Sequence, residues 1–194
     1  MRQTFLFFLV CFFALTSCKS KTKEKPAGDK FMPVLSFIKD QVAHVDTSVY
    51  SIMKISYLDS GRADTSYIKR EDFKTAAADF LSIPDISESD YGDRYKEDKQ
   101  FDETLDRVII TYLPVNPDKE TIQREEILIR TTPPNDKITN IIINTVVSTK
   151  DSLIEKKMLW KMDESFQVAT SRQKVGEPET VSTYKVAWNE SDTE

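Results

Sequence analysis

The second half of the chain alternates between β-rich runs and short turn signals, and this pattern constrains the fold more than any other feature. The runs cover 106–115, 122–132, 137–149, 152–162, 165–174 and 179–189. Turns this short join neighbouring antiparallel strands, because a parallel crossover needs a dozen or more residues. The pattern therefore predicts an antiparallel meander. Three successive isoleucines at 141–143 predict a central strand covered on both faces.

The residues that precede the meander predict two helices and a hairpin. Apolar residues recur at helical spacing over 33–43 and again over 70–82. Between them, 49–58 and 65–68 predict two strands joined by a turn. The length of 194 residues suits one domain. We therefore expect an α+β fold in which two N-terminal helices pack on a curved antiparallel β-meander of about six to eight strands.

The first eighteen residues predict export from the cytoplasm. Arg2 is followed by an apolar run over 5–15, which fits a secretory signal and is shorter than the roughly 20 residues of a transmembrane helix. The run ends in Leu15-Thr16-Ser17-Cys18. This order of features resembles the signal peptide and lipobox of bacterial lipoproteins, and the resemblance implies cleavage after Ser17 and a diacylglycerol on the Cys18 thiol. The alternative is an ordinary signal peptide with a chance cysteine.

A lysine-rich segment follows the lipobox. Residues 19–30 contain five lysines, two acidic residues and no large apolar residue, so they predict a flexible tether. The chain thus divides into a signal peptide (1–17), the lipidated Cys18 with its tether (18–30) and one α+β domain (31–194). Anchor and tether resemble those of small uncharacterised lipoproteins of Bacteroidota. That resemblance implies the cell envelope, with the protein anchored in the outer membrane and facing the periplasm, because basic residues follow Cys18.

The charge and the rare residue types of the domain exclude several classes of function. Residues 31–194 contain 21 basic and 30 acidic residues, so we expect no nucleic-acid binding. His44 is the single histidine, and Cys18 is the only cysteine left after cleavage, so a metal site of these residues is not expected. The four glycines are too far apart for a phosphate-cradling loop. We therefore expect no cofactor, and a hydrolase that uses only carboxylates stays open as the alternative to a function without catalysis.

The stretch 85–106 is the most acidic part of the domain, with nine Asp or Glu against three Lys or Arg, and it predicts a long exposed loop. Tyrosine on such a loop is typical of a contact surface, although it also serves to pin a loop to its domain. Calcium is chemically compatible with the carboxylates, but their spacing departs from an EF-hand, so no metal is expected. The candidate interaction residues are Asp85, Glu88, Asp90, Tyr91, Asp93, Tyr95, Glu97 and Asp98.

Two functional hypotheses follow from these observations. In the first, a lipid-anchored envelope protein binds an unknown protein partner and performs no catalysis. In the second, the domain carries or accepts a hydrophobic ligand in the groove of a half-open antiparallel barrel, by analogy with periplasmic lipoprotein carriers and their lipid-anchored acceptor. Met158, Trp160 and Met162 are the candidate groove residues, and a place in the core is their alternative. In both hypotheses the anchor binds the membrane.

Overall fold

The computed structural model of the chain describes residues 31–49, 51–58 and 61–189. The signal peptide, Cys18 and the tether lie outside these residues, so the predictions made for them stay predictions. Among the described helices, none combines the length and the apolar character that crossing a membrane requires.

In the described part of the chain, nine antiparallel strands form a single sheet. The strands are β1 (Ile52–Tyr57), β2 (Ala63–Ile68), β3 (Tyr95–Asp102), β4 (Arg107–Pro114), β5 (Ile122–Arg130), β6 (Lys137–Ser148), β7 (Ser152–Lys161), β8 (Ser165–Lys174) and β9 (Thr180–Ala187). Their order in the sheet is β2-β1-β9-β8-β7-β6-β5-β4-β3. The meander from β4 to β9 and the antiparallel α+β class are confirmed, whereas the number of strands exceeds the predicted six to eight.

The additional strand is β3, which lies inside the acidic stretch that the sequence predicts to be a loop. The loop ends at Arg94, and β3 pairs only with β4, at one edge of the sheet. Charged side chains on an edge strand oppose pairing with another chain. The charge of 95–102 is therefore compatible with a strand at this position, and the prediction of a loop up to residue 106 was wrong.

Among the described residues, one α-helix precedes the sheet and the other α-helices lie between β2 and β3, so the expected pair of N-terminal helices was wrong in its placement. Helix α1 (Val34–Thr47) buries four apolar residues at helical spacing: Val34, Ile38, Val42 and Val45. The predicted helix over 70–82 is divided into a 3₁₀ turn, α2 (Phe73–Ala76) and α3 (Ala78–Leu81). The break falls at Ala77, whose ψ of 5° leaves the helical range.

An aromatic cluster joins the short helices to the sheet. The rings of Trp160 and Phe166 stack with centroids 5.0 Å apart. Phe80 of α3 meets both rings edge-on, at 5.0 and 5.4 Å. Phe73 of α2 meets Trp188 edge-on at 5.1 Å. Such pairs contribute about 0.5–1.5 kcal/mol each beyond the burial of apolar area, so this cluster fixes α2 and α3 on the sheet.

Polar contacts also attach the helices to the sheet. The Gln41 side chain of α1 donates a hydrogen bond to Asp163 Oδ1 (2.8 Å) and accepts one from the Asp163 backbone N–H (2.7 Å). On α3, Asp79 accepts from Lys156 Nζ at 2.5 Å and from the Tyr184 hydroxyl at 2.9 Å. These contacts place α1 and α3 on the same side of the sheet.

The helices leave the opposite side of the sheet uncovered. Ile141 and Ile143 point towards the helices and are fully buried, whereas Ile142 points away from them and is half-buried. No helix of the described residues packs on the Ile142 side, so the prediction of a strand covered on both faces was wrong. We call the side of the sheet that carries Ile142 the uncovered face.

Candidate functional site

The stretch that the sequence predicts as an interaction surface is held against the domain by Tyr91, Arg94 and Tyr95. The Arg94 guanidinium donates to both carboxylate oxygens of Glu120, at 2.7 and 2.5 Å, and lies 4.4 Å from the centre of the Tyr91 ring. The hydroxyl of Tyr95, which is 2% exposed, donates to the carbonyl oxygen of Ile122 at 3.1 Å. Both tyrosines thus make the contacts expected of residues that pin a loop.

The acidic residues of the same candidate surface are distributed over two elements. Asp85 is half-buried and accepts hydrogen bonds from the backbone N–H and the hydroxyl of Ser87, at 3.0 and 2.6 Å. The other acidic residues are exposed, and the last two of them belong to β3: Glu88, Asp90, Asp93, Glu97 and Asp98. In the described part of the chain, no three His, Cys, Asp or Glu side chains lie close enough together to hold a metal ion.

The candidate groove residues separate into core and surface. Met158 and Trp160 are 1% and 0% exposed and belong to the core between the sheet and the helices. Met162 is half-buried just after β7, where it lines a pocket at the end of the sheet. The Phe80 ring occupies the space above Trp160 that a groove would need.

The uncovered face carries positive charge although the domain as a whole is acidic. The strand registers place eight cationic residues on this face: Lys96, Arg107, Arg124, Arg130, Lys137, Lys157, Lys161 and Lys185. They place four acidic residues there: Asp98, Asp102, Glu126 and Glu155. The excess of positive charge contrasts with the 21 basic and 30 acidic residues of 31–194. The acidic residues are therefore concentrated elsewhere on the domain.

Four of these cations, Arg107, Arg130, Lys137 and Lys161, surround a pocket of about 240 Å³ at one end of the sheet. We call it the basic pocket. The four residues belong to the neighbouring strands β4, β5, β6 and β7. Neighbouring strands lie about 4.8 Å apart, so the cationic side chains start close together. The other residues of the pocket wall are Ile138, Thr139, Asn140, Met162 and Glu164.

A β-bulge helps to form the basic pocket. Leu128 pairs with Asn140 and Ile129 pairs with Ile138, so Thr139 is an extra residue in β6. The Thr139 hydroxyl donates to the Leu128 carbonyl oxygen at 3.2 Å, which holds the bulge. Side chains alternate between the faces of a regular strand, and without the extra residue Lys137 and Asn140 would point to opposite faces. The bulge brings both to the pocket.

The cations of the basic pocket differ in their partners. Lys137 Nζ forms an ion pair with Asp163 Oδ2 at 3.2 Å. The hydrogen bond from Gln41, together with Lys137, lowers the pKa of Asp163, so this carboxylate is charged at neutral pH. Arg107 Nη1 donates to two nearby backbone carbonyl oxygens. Within the described ranges, Arg130 and Lys161 have no ion pair and no side-chain hydrogen bond.

The positions of the four cations at the ends of strands are the sequence signal for the basic pocket. In an antiparallel meander, the first residue of one strand and the last residue of the next strand lie at the same end of the sheet. Arg107 begins β4, Arg130 ends β5, Lys137 begins β6 and Lys161 ends β7. If charged residues are grouped by the end of the sheet at which their strand begins or ends, these four cations fall into one group. Their positions along the chain do not show this.

A buried carboxyl group lies on the helix side of the sheet, apart from the basic pocket. Glu125 is 1% exposed and pairs across the strands with Tyr112. Its Oε1 atom has no hydrogen-bond partner. Burial raises the pKa of Glu125 to about 8, and the negative charge of Asp85 adds to the shift.

Comparison with known proteins identifies no family for the chain. No protein-family model, curated protein or solved structure matches it. Function is therefore inferred from the geometry and the charge of the described residues.

Proposed function

We propose that this chain is a lipid-anchored binding module of the cell envelope without catalytic activity, and that it binds an anionic partner on the uncovered face of its sheet. The observation that carries the proposal is the positive charge of this face in a domain with 30 acidic and 21 basic residues. Antiparallel sheets often have one face in water, so the lack of a helix is not sufficient by itself. The charge is the feature that sets this face apart.

The composition of the uncovered face fits a binding surface. Ile142 and Leu159 pair across β6 and β7 and are half-buried. On the same face, Lys157 and Lys161 lie on either side of Leu159 along β7. Leu113 on β4 and Leu153 on β7 lie on the same face and are exposed. Interfaces typically combine an apolar centre with a polar rim. The face therefore offers apolar contact area, while its cations supply attraction to an acidic partner and orientation of the complex.

The proposed anchor would complement this face. One acyl chain binds a membrane only marginally, but two or more hold a protein there stably. A domain on a tether of twelve residues, 19–30, would stay near the membrane and search the adjacent space for its partner. The acidic parts of the domain would be repelled by anionic headgroups, which favours exposure of the domain away from the surface.

The carrier hypothesis requires an apolar cavity large enough for a lipid-like ligand. Met158 and Trp160 lie in the filled core, and the basic pocket is lined mainly by charged and polar residues. A second pocket, of about 550 Å³, has Val146, Val147 and Leu153 in its wall. Asp118, Lys119 and Glu120 line it as well, so it is not the apolar cavity that a carrier requires.

Site-specific photo-crosslinking in intact cells tests the proposed function. The full chain is expressed with a photoreactive amino acid at Asn144, in the middle of the uncovered face, or at the exposed Lys39 of α1 as the matched control. The proposal predicts a discrete crosslinked product from position 144 that disappears at high salt, and none from position 39. Products of equal yield from both positions, or a product from 144 that is insensitive to salt, would contradict it.

A further inference from the structure

We infer that the basic pocket binds a phosphate group, either of a soluble phosphate compound or of a lipid headgroup. This inference rests on the proposed function and deepens it, because it names the chemical group that the uncovered face recognises. The relevant residues are the four cations that surround the pocket: Arg107, Arg130, Lys137 and Lys161.

Three neighbouring cations at the pocket favour the binding of an anion. Arg130 pairs directly with Lys137, and the pairing of Val108 with Ile129 places Arg107 next to Arg130 on the other side. Three cations thus follow one another across three neighbouring strands. Like charges opposite one another destabilise a sheet, and this row lies outside the core, where packing gives no reason for it. Asp102 lies opposite Arg107 at one end of the row, and Asp163 pairs with Lys137 at the other. Arg130, in the middle, has no carboxylate partner among the described residues, and a bound anion would balance its charge.

The donors of the pocket suit the oxygens of a phosphate group. Arg130 offers the planar fork of a guanidinium, and Lys161 offers an ammonium group; neither has a side-chain partner in the part of the chain that the structure describes. The side-chain amide of Asn140 also lines the pocket and adds N–H donors. Asp163 already balances much of the charge of Lys137. Arg130 and Lys161 are therefore the residues that contribute most to anion binding.

The size and the remaining wall of the pocket restrict the ligand. Its volume of about 240 Å³ lies below the roughly 300–1,000 Å³ of pockets for drug-sized molecules, so it suits one small group. Glu164 also lines the pocket and would accept a hydrogen bond from a hydroxyl group beside the phosphate. A phosphate that carries a small hydroxylated substituent, such as glycerol, meets both conditions.

Calorimetric titration of the full chain in an uncharged detergent tests the inference. The two probes are inorganic phosphate and a phosphatidylglycerol with short acyl chains incorporated into the same detergent micelles, both at constant ionic strength. The inference predicts saturable binding with one site per chain. The double variant Arg130→Gln with Lys161→Gln should weaken it about tenfold or more, because two charge-assisted contacts are lost. Its thermal unfolding is measured in parallel to show that it folds.

Lys96→Gln provides the matched control, because Lys96 is an exposed lysine on the same face outside the basic pocket. Its affinity should equal that of the unchanged chain. Equal affinity for both probes would assign recognition to the phosphate alone, and tighter binding of the lipid would assign it to a headgroup; both outcomes support the inference. No saturable binding of either probe, or the same loss in Lys96→Gln as in the double variant, would overturn it.

The two experiments separate the inference from the proposed function. If neither probe binds but the salt-sensitive crosslink from Asn144 persists, the phosphate inference fails and the binding module stands. If both probes bind and no crosslink forms, phosphate binding by the basic pocket is supported and the proposed binding of a partner on the uncovered face is contradicted.

Discussion

Replacing Glu125 by Gln should stabilise the protein at neutral pH and remove most of its pH dependence between pH 5 and 7. The carboxyl group is 1% exposed, its Oε1 atom lacks a partner, and burial raises its pKa to about 8. The groups that face it are the hydroxyls of Tyr112 and Tyr95 and the carboxylate of Asp85, and none of them supplies a positive charge. The ionised form of Glu125 is therefore poorly solvated in the folded state.

The sign and the size of the effect follow from proton linkage. An unfolded Glu has a pKa near 4.3, so between roughly pH 4.5 and 8 the folded chain holds a proton that the unfolded chain has released. Stability is then highest below the unfolded pKa and decreases as the pH rises towards the folded pKa. The slope is about 1.4 kcal/mol per pH unit, which amounts to roughly 3 kcal/mol between pH 5 and 7. An amide of the same shape carries no such dependence.

Urea denaturation of the full chain at pH 5, 6 and 7 measures this effect. The unchanged chain should lose free energy of unfolding with rising pH, and Glu125→Gln should show a nearly flat profile with higher stability at pH 7. Glu126→Gln is the control. Glu126 is the next residue in the chain, but its carboxylate lies on the uncovered face and forms an ion pair with Arg124. The control should retain the slope. If Glu125→Gln has the same slope as the unchanged chain, the account of the buried carboxyl is refuted.

Three further substitutions test the packing and the charge distribution. Phe80→Ala removes two edge-on ring contacts and should cost about 3–5 kcal/mol in thermal unfolding. Gln41→Ala removes both hydrogen bonds to Asp163 and should cost about 1–3 kcal/mol in urea denaturation, with a rise in the pKa of Asp163 visible by NMR titration. Arg130→Gln should raise stability by about 0.2–1 kcal/mol in dilute chloride buffer, and the gain should vanish in 0.5 M salt, roughly three times the physiological ionic strength. An unchanged melting temperature for each variant would contradict these expectations.

The meander was predictable because its signals are local. Each run from 106–115 to 179–189 ends in turn residues, and its alternating side chains fix which face is buried. Strand β3 was not predictable by the same rule, because an edge strand needs no buried face and its charges are typical of loops. The break at Ala77 has no sequence signal, since alanine is the strongest helix former. Tertiary packing of Phe73 and Phe80 decides it.

The candidate site was less predictable than the fold. The acidic loop is conspicuous in the sequence because its charges are contiguous, yet Tyr91 and Tyr95 contribute to its attachment to the domain. The basic pocket is inconspicuous because its cations are separated by tens of residues and meet only through strand pairing. The bulge at Thr139, which turns Lys137 towards the pocket, depends on a register that no local pattern specifies.

Charge reversal in the basic pocket, combined with crosslinking, tests whether the uncovered face binds its partner through this pocket. The photoreactive residue at Asn144 is introduced into the full chain together with Arg130→Glu and Lys161→Glu, and in parallel with Lys96→Glu as the control outside the basic pocket. If the uncovered face binds an anionic partner through the pocket, the crosslinked product is lost with the double reversal and retained with the control. A product that survives the double reversal at undiminished yield would contradict the account.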